Sequence, residues 1–260
     1  MNPLKIGVFG PSGRMGKDIV NQISSYNSLK LTYLCEKKGH NSIGKRMSGI
    51  VVEDDIKKLV SSSDVIIDFT VPSATLNLMK IMKLIKKKTA LVTGTTGFSK
   101  SEEKKFNSLS SGMTILRSFN MSVGVSLLKN IVKFTSKNIG DSSDIEIVEI
   151  HHNQKRDTPS GTSLSLANSI TEGNKDIKKH SYREKNANKA RGKKEIGFAS
   201  IRGGDVIGEH SVFFFLDGER LEFKHIASDR KVFSIGAIKA ARWVFKKKPG
   251  LYTIMDMICN

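Results

Sequence analysis

Short apolar runs and amphipathic stretches alternate along the first half of the chain. Between the first two runs, Met15, Ile19 and Ile23 recur every four residues, which places them on one face of a helix. Apolar runs that alternate with helices are typical of parallel strands joined by helical crossovers. We therefore predict strands in five segments, which are residues 5–10, 29–35, 64–70, 90–97 and 113–119.

The pattern changes from Asp144 onward. Ser160 can cap a helix that ends near Gly173, and a last amphipathic helix is predicted over residues 233–245. Residues 174–194 are rich in Lys, Asn and Glu, so we predict a mobile surface loop there rather than a helix or strand. Four further strands are predicted, at residues 144–152, 197–204, 206–216 and 219–228.

These patterns predict an α/β chain of two domains. Residues 1–122 are expected to form a Rossmann-type, doubly wound parallel sheet, which the C-terminal segment 232–260 completes. Residues 123–231 are expected to form a smaller α+β domain with a mixed, largely antiparallel sheet. A chain of 260 residues with 38% apolar content is long enough for two modest cores.

Composition favours a soluble protein in a reducing compartment. The N-terminal segment lacks the basic region, apolar core and cleavage site of a signal peptide. No segment approaches the roughly 20 uninterrupted apolar residues of a membrane helix. Cys35 and Cys259 are too few for a disulfide framework and lack the spacing of a metal site. We therefore expect a cytoplasmic protein without a membrane partner.

The net charge of +18 raises the alternative of a nucleic-acid-binding protein, because clustered Lys and Arg release counterions from phosphate. The lysines, however, occur in short runs in loops and at the ends of predicted helices, without interleaved aromatic residues. Such runs are typical of a solvated surface, and small anions are the next partner that they favour. We expect no nucleic-acid partner.

A glycine-rich loop, G-P-S-G-R-M-G, directly follows the first predicted strand. Gly10, Gly13 and Gly16 permit positive φ and close approach to an anion, which the start of the next helix also attracts. Ser12 replaces one glycine of the usual dinucleotide motif, so the loop alone can equally be an ordinary turn. Glu36 strengthens the prediction of a dinucleotide site, because it ends the second predicted strand and can accept hydrogen bonds from a ribose.

The type of nicotinamide cofactor stays open at this point. The Glu36 carboxylate suits a free adenosine ribose, whereas Lys37 and Lys38 can accommodate a 2′-phosphate that Glu36 would repel. Lys37 can equally be a solvated surface lysine. Two further segments, G-T-T-G at 94–97 and S-F-N-M at 118–121, end predicted strands at the same sheet edge and are candidates for cofactor contacts, although each alone reads as a turn.

The densest polar cluster is E-I-H-H-N-Q-K-R-D-T-P-S-G-T, over residues 149–162. A His beside a Lys suits acid–base work and offers positive charge to a carboxylate. The segment from Ser160 opens a helix whose N–H groups can hold an anion. His151 and His152 project to opposite faces if the strand continues through them, so we predict no metal site. A capped helix after a structural histidine pair is the alternative.

Taken together, these motifs resemble the 4-hydroxy-tetrahydrodipicolinate reductase (dihydrodipicolinate reductase) family. The resemblance rests on the glycine loop, D-F-T at 68–70, G-T-T-G-F at 94–98, N-M-S-V-G-V at 120–125, H-H-x-x-K-x-D-x-P-S-G-T at 151–162 and G-E-H at 208–210. It implies a dinucleotide-binding first domain and a second domain for substrate binding and oligomerisation. It also implies NADH or NADPH as cofactor and a homotetramer built through the second domains.

The resemblance implies that His151 is a proton donor or acceptor and that Lys155 is a proton donor. The substrate contacts that it implies are His152, Ser160, Gly161 and Thr162. The cofactor contacts that it implies are Gly10, Pro11, Ser12, Gly13, Arg14, Met15, Glu36, Lys37, Gly94, Thr95, Thr96, Ser118, Phe119, Asn120 and Met121.

The reaction implied is the NAD(P)H-dependent reduction of 4-hydroxy-tetrahydrodipicolinate, a cyclic dicarboxylate, to tetrahydrodipicolinate with loss of water, in lysine and diaminopimelate biosynthesis. One alternative is another NAD(P)-dependent dehydrogenase of an amino dicarboxylate such as aspartate, which would share the cofactor half. The His-His-x-x-Lys stretch argues against it. A second alternative is a non-catalytic dinucleotide- or nucleic-acid-binding protein, which salt-sensitive DNA retention without turnover would favour.

Overall fold

The computed structural model describes residues 2–85, 87–177, 179–182 and 190–259. The chain divides into two compact units. The first unit comprises Met1–Ser122 and Lys231–Asn260, and the second comprises Val123–Arg230. Among the described residues, no helix has both the length and the apolar character needed to cross a bilayer.

The first unit contains an eight-stranded sheet with helices between its strands. Its strands are β1 (Leu4–Phe9), β2 (Leu29–Cys35), β3 (Arg46–Met47), β4 (Ile50–Glu53), β5 (Val65–Asp68), β6 (Ala90–Thr93), β7 (Thr114–Arg117) and β13 (Gly250–Tyr252). Its helices are α1 (Arg14–Ile23), α2 (Ile56–Ser62), α3 (Pro72–Ile85), α4 (Lys100–Ser110), α7 (Lys231–Val244) and α8 (Ile254–Cys259).

The strand order β13-β7-β6-β5-β1-β2-β4-β3 is that of a doubly wound sheet, and only the β3–β4 pair of this sheet is antiparallel. The prediction of an α/β fold with a parallel sheet is confirmed. From β1 the chain first builds outward on one side, through β2 and β4. It then crosses to the other side at β5. The gap between the carboxyl ends of β1 and β5 is therefore the switch point at which such sheets bind ligands.

The core of the first unit explains why its strands are apolar throughout. Parallel strands are covered on both faces, so Val8, Ile67 and Val92 are almost fully buried. Each fully buried side chain of this size contributes about 1.5–3 kcal/mol relative to exposure. Helix α7 supplies Ala237 and Ile238 to the same core cluster, so the C-terminal segment is part of this core.

The second unit contains a five-stranded sheet and two main helices. The strands are β8 (Asp144–His151), β9 (Lys179–Tyr182), β10 (Glu195–Arg202), β11 (Gly208–Phe215) and β12 (Arg220–Ala227), in the order β12-β11-β8-β10-β9. The helices are α5 (Val123–Ile139) and α6 (Gly161–Gly173), with a short 3₁₀ turn at Gly140–Ser142. Leu128 of α5 and Leu166 of α6 pack on one face of the sheet.

Two predictions for this sheet need correction. The mixed sheet is confirmed, but β8 pairs in parallel with β10, and β10 with β9, so antiparallel pairs are not in the majority among the described strands. Residues 179–182, which we predicted to be loop, form β9. A strand held at a sheet edge by backbone hydrogen bonds does not require an apolar pattern. Residues 178 and 183–189 of that predicted loop lie outside the described residues.

Candidate functional site

The glycine loop lies between β1 and α1 in the first unit. Gly10 has a φ of 79°, which favours glycine, and its N–H donates to the carbonyl of Cys35 at 2.9 Å. Gly13 caps α1 at a φ of −67°, so it does not use the positive φ that glycine permits. Gly16 is required for a different reason, because a β-carbon would lie 2.2 Å from the carbonyl oxygen of Gly10. The first turn of α1 therefore packs directly on the end of β1.

A cavity of 360 Å³ opens beside this loop, at the switch point of the sheet. Residues after β1, β2 and β5 line it, among them Gly10, Ser12, Gly13, Glu36, Lys37, His40 and Thr70. The Glu36 carboxylate is held by two backbone groups, since Oε2 accepts from the N–H of Ser12 at 3.3 Å and Oε1 from that of Lys37 at 3.1 Å. The structure thus brings the predicted ribose acceptor and the glycine loop to one cavity.

His40 was not singled out from the sequence, yet it lines the same cavity. The backbone N–H of Ser42 donates to Nδ1 of His40 at 3.2 Å, so Nδ1 is an acceptor and the ring has its N–H at Nε2. The hydroxyl of Ser42 lies 2.7 Å from Nδ1 of His40 and 2.7 Å from the hydroxyl of Ser12. This chain links the phosphate loop to the loop after β2.

The G-T-T-G segment is anchored by Asp68, a fully buried carboxylate at the end of β5. Its Oδ2 accepts from the hydroxyls of Thr75 at 2.5 Å, Thr93 at 2.9 Å and Thr95 at 3.3 Å. Its Oδ1 accepts from the N–H and hydroxyl of Thr70. Burial raises the pKa of Asp68, against the effect of these hydrogen bonds. The hydroxyl of Thr95 is therefore occupied inside the protein.

The other residues of the G-T-T-G segment and of the glycine loop differ in how exposed they are. Thr96 is exposed, while Gly94 lies against the ring of Phe69 so closely that a β-carbon would be 2.1 Å from it. In the glycine loop, Pro11 is buried and Arg14 is exposed, while Met15 packs partly against the core. Thr96 and Arg14 thus have side chains that are free to meet a ligand.

The S-F-N-M segment follows β7. Met121 is buried in the core, whereas Phe119 is 64% exposed. The Ser118 hydroxyl donates to the carbonyl of Asn120 at 2.6 Å, which closes a tight turn. The guanidinium of Arg117 lies 4.9 Å from the Phe119 ring and also contacts the rings of two buried or half-buried phenylalanines. Sequence reasoning missed Arg117 as the support for this turn.

These residues of the first unit fit a pyridine nucleotide. Gly10 and Gly13 present no side chain at two positions of the loop, and the N-terminus of α1 favours a pyrophosphate. Glu36 has an acceptor for ribose hydroxyls.

The second unit holds a separate cluster around the end of β8. Glu149, His151 and His210 are all buried, and their rings and carboxylate meet on the helix-covered face of the sheet. Nδ1 of His151 lies 2.5 Å from Oε2 of Glu149. The rings of His151 and His210 meet edge to face, with centroids 5.1 Å apart. Strand β8 ends at His151, so His152 begins the following turn and is half-buried.

Glu149 links three parts of the second unit. Its Oε1 accepts from the backbone N–H of Ser160 at 3.1 Å, the hydroxyl of Ser200 at 2.8 Å and Nη2 of Arg202 at 2.8 Å. Burial opposes ionisation, but the hydrogen bonds from Arg202 and Ser200 outweigh it, so the pKa of Glu149 is lowered. The carboxylate is therefore ionised beside His151, whose own pKa is lowered by burial against the opposing effect of Glu149.

Glu149, His151 and His210 could also be considered as metal ligands, because one ligand atom of each lies within 4.8 Å of the others. The 2.5 Å separation between Glu149 and His151 argues for another arrangement. Two ligands of a tetrahedral ion with bonds near 2.1 Å are about 3.4 Å apart. A separation of 2.5 Å is well below this, so the two atoms are placed as a directly contacting pair.

The loop after β8 carries the predicted lysine. Nζ of Lys155 contacts both carboxylate oxygens of Asp157, at 2.9 and 3.0 Å, and this pairing lowers the pKa of Asp157. The Asp157 side chain is 61% exposed, so the pair is open to solvent on that side. The Lys155 ammonium therefore donates to a carboxylate in this loop.

The predicted anion site begins α6. The hydroxyl of Ser160 accepts from the N–H of Ser163 at 3.1 Å, which confirms the predicted cap. Gly161 is exposed and Thr162 is half-buried at the first turn, where N–H groups point out of the helix end. The structure thus brings His151, Glu149 and the Ser160 turn together within the second unit.

Comparison with known proteins matches this chain to two family models. The model described as dihydrodipicolinate reductase, N-terminus, matches residues 4–121, and the C-terminus model matches residues 124–258. The 4-hydroxy-tetrahydrodipicolinate reductase of Pelagibacter ubique is 39% identical over 99% of both chains. That of Roseobacter denitrificans is 38% identical over 98% of this chain and 97% of its own.

A solved structure shows the same fold. Dipicolinate-bound dihydrodipicolinate reductase from Paenisporosarcina sp. TG-14 superimposes with a TM-score of 0.80, at 22% identity, over 96% of this chain and 97% of that chain. A diaminopimelate dehydrogenase from C. glutamicum gives a TM-score of 0.58 at 11% identity, over 98% of this chain and 94% of that chain. The second, lower score indicates a more distant relation of fold.

Proposed function

Since the chain belongs to the dihydrodipicolinate reductase family, we propose that it reduces 4-hydroxy-tetrahydrodipicolinate to tetrahydrodipicolinate with loss of water, as a step of lysine and diaminopimelate biosynthesis. Reductases of this family use a pyridine nucleotide. The observation that carries the proposal is the match of both halves of the chain to the family. The family match disfavours the aspartate-type dehydrogenase and the non-catalytic binding protein.

In this proposal the first unit holds the cofactor. The residues that would contact it are the glycine loop from Gly10 to Met15, Glu36 with Lys37, and the turns 94–96 and 118–121. The reduced nicotinamide, when bound, supplies a hydride. Asp68 supports this role indirectly, because its hydrogen bonds to Thr70 and Thr95 fix two of the turns at the sheet edge.

The second unit holds the dicarboxylate. Lys155, His152 and the turn from Ser160 to Thr162 would bind the two carboxylates, by positive charge and by N–H groups. The contact between Lys155 and Asp157 supports this assignment. Reduction leaves electron density on the ring, so an acid must supply a proton, and His151 or Lys155 would do so.

We propose that NADH is the preferred cofactor and that NADPH binds less tightly. Two features of the cavity support this. The Glu36 carboxylate is oriented by two backbone N–H groups and would repel a 2′-phosphate. Lys37 is exposed, so its charge is largely screened by water.

We also propose a homotetramer, built through the open face of the second sheet, and a cytoplasmic location. Strand register places one set of apolar side chains on the face opposite α5 and α6. Among them, Ile201, Phe215 and Ile226 are 49%, 36% and 53% exposed. An apolar face of this kind favours association with another copy. Light scattering should then give four times the 28.7 kDa chain mass.

The function is tested in a coupled assay. The preceding synthase generates the substrate in the cuvette, and loss of reduced-cofactor absorbance is followed with NADH and NADPH separately. We expect turnover with both and a higher kcat/KM with NADH. A flat trace with both cofactors would refute the proposed reaction. A higher kcat/KM with NADPH would refute only the cofactor preference.

A further inference from the structure

We propose that Glu149 is a positioning residue of the acid–base centre. Its carboxylate holds a proton on Nδ1 of His151, which leaves Nε2 as the nitrogen that exchanges a proton with the substrate. The inference rests on the proposed function, in which His151 is an acid–base group, and deepens it by assigning a role to a residue that does not touch the substrate.

The first observation is the contact between Glu149 and His151. Oε2 and Nδ1 are 2.5 Å apart, and both atoms are buried. Within the described part of the chain, neither atom makes a regular hydrogen bond, so this short contact is the polar contact that each of them has. An unprotonated Nδ1 this close to an ionised carboxylate oxygen would be repelled by it, whereas a protonated Nδ1 would be attracted. We therefore place the proton of the neutral ring on Nδ1, which leaves Nε2 unprotonated.

The second observation is that Glu149 is held in place from the other side. Three donors converge on Oε1, from Ser160, Ser200 and Arg202, and these come from two segments, the start of α6 and β10. The carboxylate is fully buried, so its position does not depend on solvent. A carboxylate with Oε1 fixed in this way can present only Oε2 to His151, which fixes the tautomer and the ring together.

The third observation concerns the space beside Nε2. A β-carbon on Gly208 would lie 3.1 Å from Nε2 of His151, closer than most contacts that real β-carbons make. The backbone of Gly208 does not have the positive φ that would require glycine. The absent side chain therefore leaves room next to Nε2, the nitrogen that our proposal makes reactive.

The same carboxylate also holds the anion site. The Ser160 N–H that donates to Oε1 belongs to the residue that caps α6. One buried group thus sets the tautomer of His151 and the position of the turn that would bind a substrate carboxylate. Loss of the Glu149 charge should therefore lower kcat, because His151 is no longer positioned. It should also raise KM, because the turn that begins at Ser160 is no longer held.

The tautomer is tested directly by ¹⁵N NMR of histidine-labelled protein without cofactor or substrate. The chain has six histidines, and the spectrum of His151→Ala identifies the signals of His151. We expect a protonated Nδ1 and an unprotonated Nε2 in the wild-type chain near neutral pH. A protonated Nε2 with an unprotonated Nδ1 would overturn the proposal. This result does not depend on turnover, so it stays informative if the proposed reaction fails.

Variants test the consequence for catalysis. Glu149→Gln should lose about 100-fold or more in kcat while cofactor affinity, measured by calorimetry, is kept. Ser200→Ala is the matched control, because it removes a donor to Oε1 and leaves the contact at Oε2. We expect it to lose less than about tenfold. Equal losses in both variants would mean that Glu149 has only a structural role, and would overturn the proposal.

The pH profile separates positioning from stability. The charged and titratable groups around His151 are Glu149 on β8, Arg202 on β10, His210 on β11 and Lys155 in the following loop. Glu149 raises the pKa of His151, so Glu149→Gln should move the limb of the pH–rate profile that reports His151 to lower pH. A limb at unchanged pH would contradict the proposal. If Glu149→Gln does not fold, the ¹⁵N NMR spectrum of the wild-type chain still tests whether Nδ1 of His151 carries the proton.

Discussion

The hydroxyl oxygen of Ser160 lies 2.9 Å from Nε2 of His210, and both residues are buried. Ser160 caps α6 and His210 belongs to β11, so this contact joins the substrate turn to the sheet. Burial, reinforced by the nearby His151, lowers the pKa of His210 to about 4. The ring is therefore neutral at physiological pH and can accept the Ser160 hydrogen.

Acid should weaken this contact. The unfolded chain protonates His210 near the ordinary histidine pKa of about 6.5, whereas the folded chain does so near 4, so the unfolded state binds more protons between these values. The contribution of His210 to the free energy of unfolding is fully present above the unfolded pKa. It falls by about 3 kcal/mol in all as the pH drops towards 4. Urea denaturation between pH 7 and 4 measures this. His210→Gln should flatten the slope, and an unchanged slope would contradict the assignment.

The two proposed acid–base residues should be separable by stability. His151→Ala and Lys155→Ala should both keep the fold and cofactor affinity while losing about 100-fold or more in turnover. Only His151→Ala leaves Oε2 of Glu149 buried without a partner, which should cost about 2 kcal/mol of unfolding free energy. Steady-state kinetics and urea denaturation give the two quantities. Lys133→Ala, which breaks a surface pair with Glu172, is the control. Unchanged turnover in both active-site variants would show that the roles are misassigned.

Two substitutions at His40 distinguish a ligand contact from a loop contact. His40→Asn keeps an acceptor for the Ser42 N–H but removes the N–H at Nε2, while His40→Gln keeps a donor near that position and loses the acceptor. If Nε2 contacts the cofactor, His40→Asn should weaken NADH binding about tenfold and His40→Gln should weaken it less. Calorimetric titration measures both. The reverse order would mean that His40 acts only by ordering the loop.

Asp68→Asn should destabilise the first unit. The amide nitrogen would face hydroxyl groups that now donate to Oδ2, so buried hydrogen bonds are lost at Thr75 and Thr93. We expect a loss of about 3 kcal/mol in unfolding free energy and weaker cofactor binding. Asp64→Asn, at a more exposed carboxylate that accepts only from the Lys5 N–H in the described structure, should lose less than about 1 kcal/mol. Equal losses in the two variants would contradict this role for Asp68.

The strands of the first unit could be predicted because they are covered on both faces, and their apolar runs are therefore continuous. β2, for example, has the predicted bounds. The predicted strands at 90–97 and 113–119 are longer than the real ones, since their ends leave the sheet as the turns at Gly94 and Ser118. Strand β9 could not be predicted, because backbone pairing with β10 holds it without an apolar pattern.

The candidate site was predictable where its residues are close in sequence. Glu36 and the Ser160 turn follow from local spacing, but Arg202 and His210 reach Glu149 and Ser160 from strands about 50 residues away. One signal for Glu149 was present, because residues two apart on a strand share a face with each other, and His151 is two positions further along. Asp68 was named only within the D-F-T motif, and its buried hydrogen bonds cannot be read from sequence.

Helix α7 returns to the first core after the whole second unit has been made, and this order matters during synthesis. A nascent chain that has reached residue 230 has strands β1 to β7 but lacks Ala237, Ile238 and Val244, which close one face of that core. Val92 of β6, on which α7 packs, would then stay uncovered while the ribosome adds the last segment. The unit that begins at the N-terminus is consequently the last to become stable.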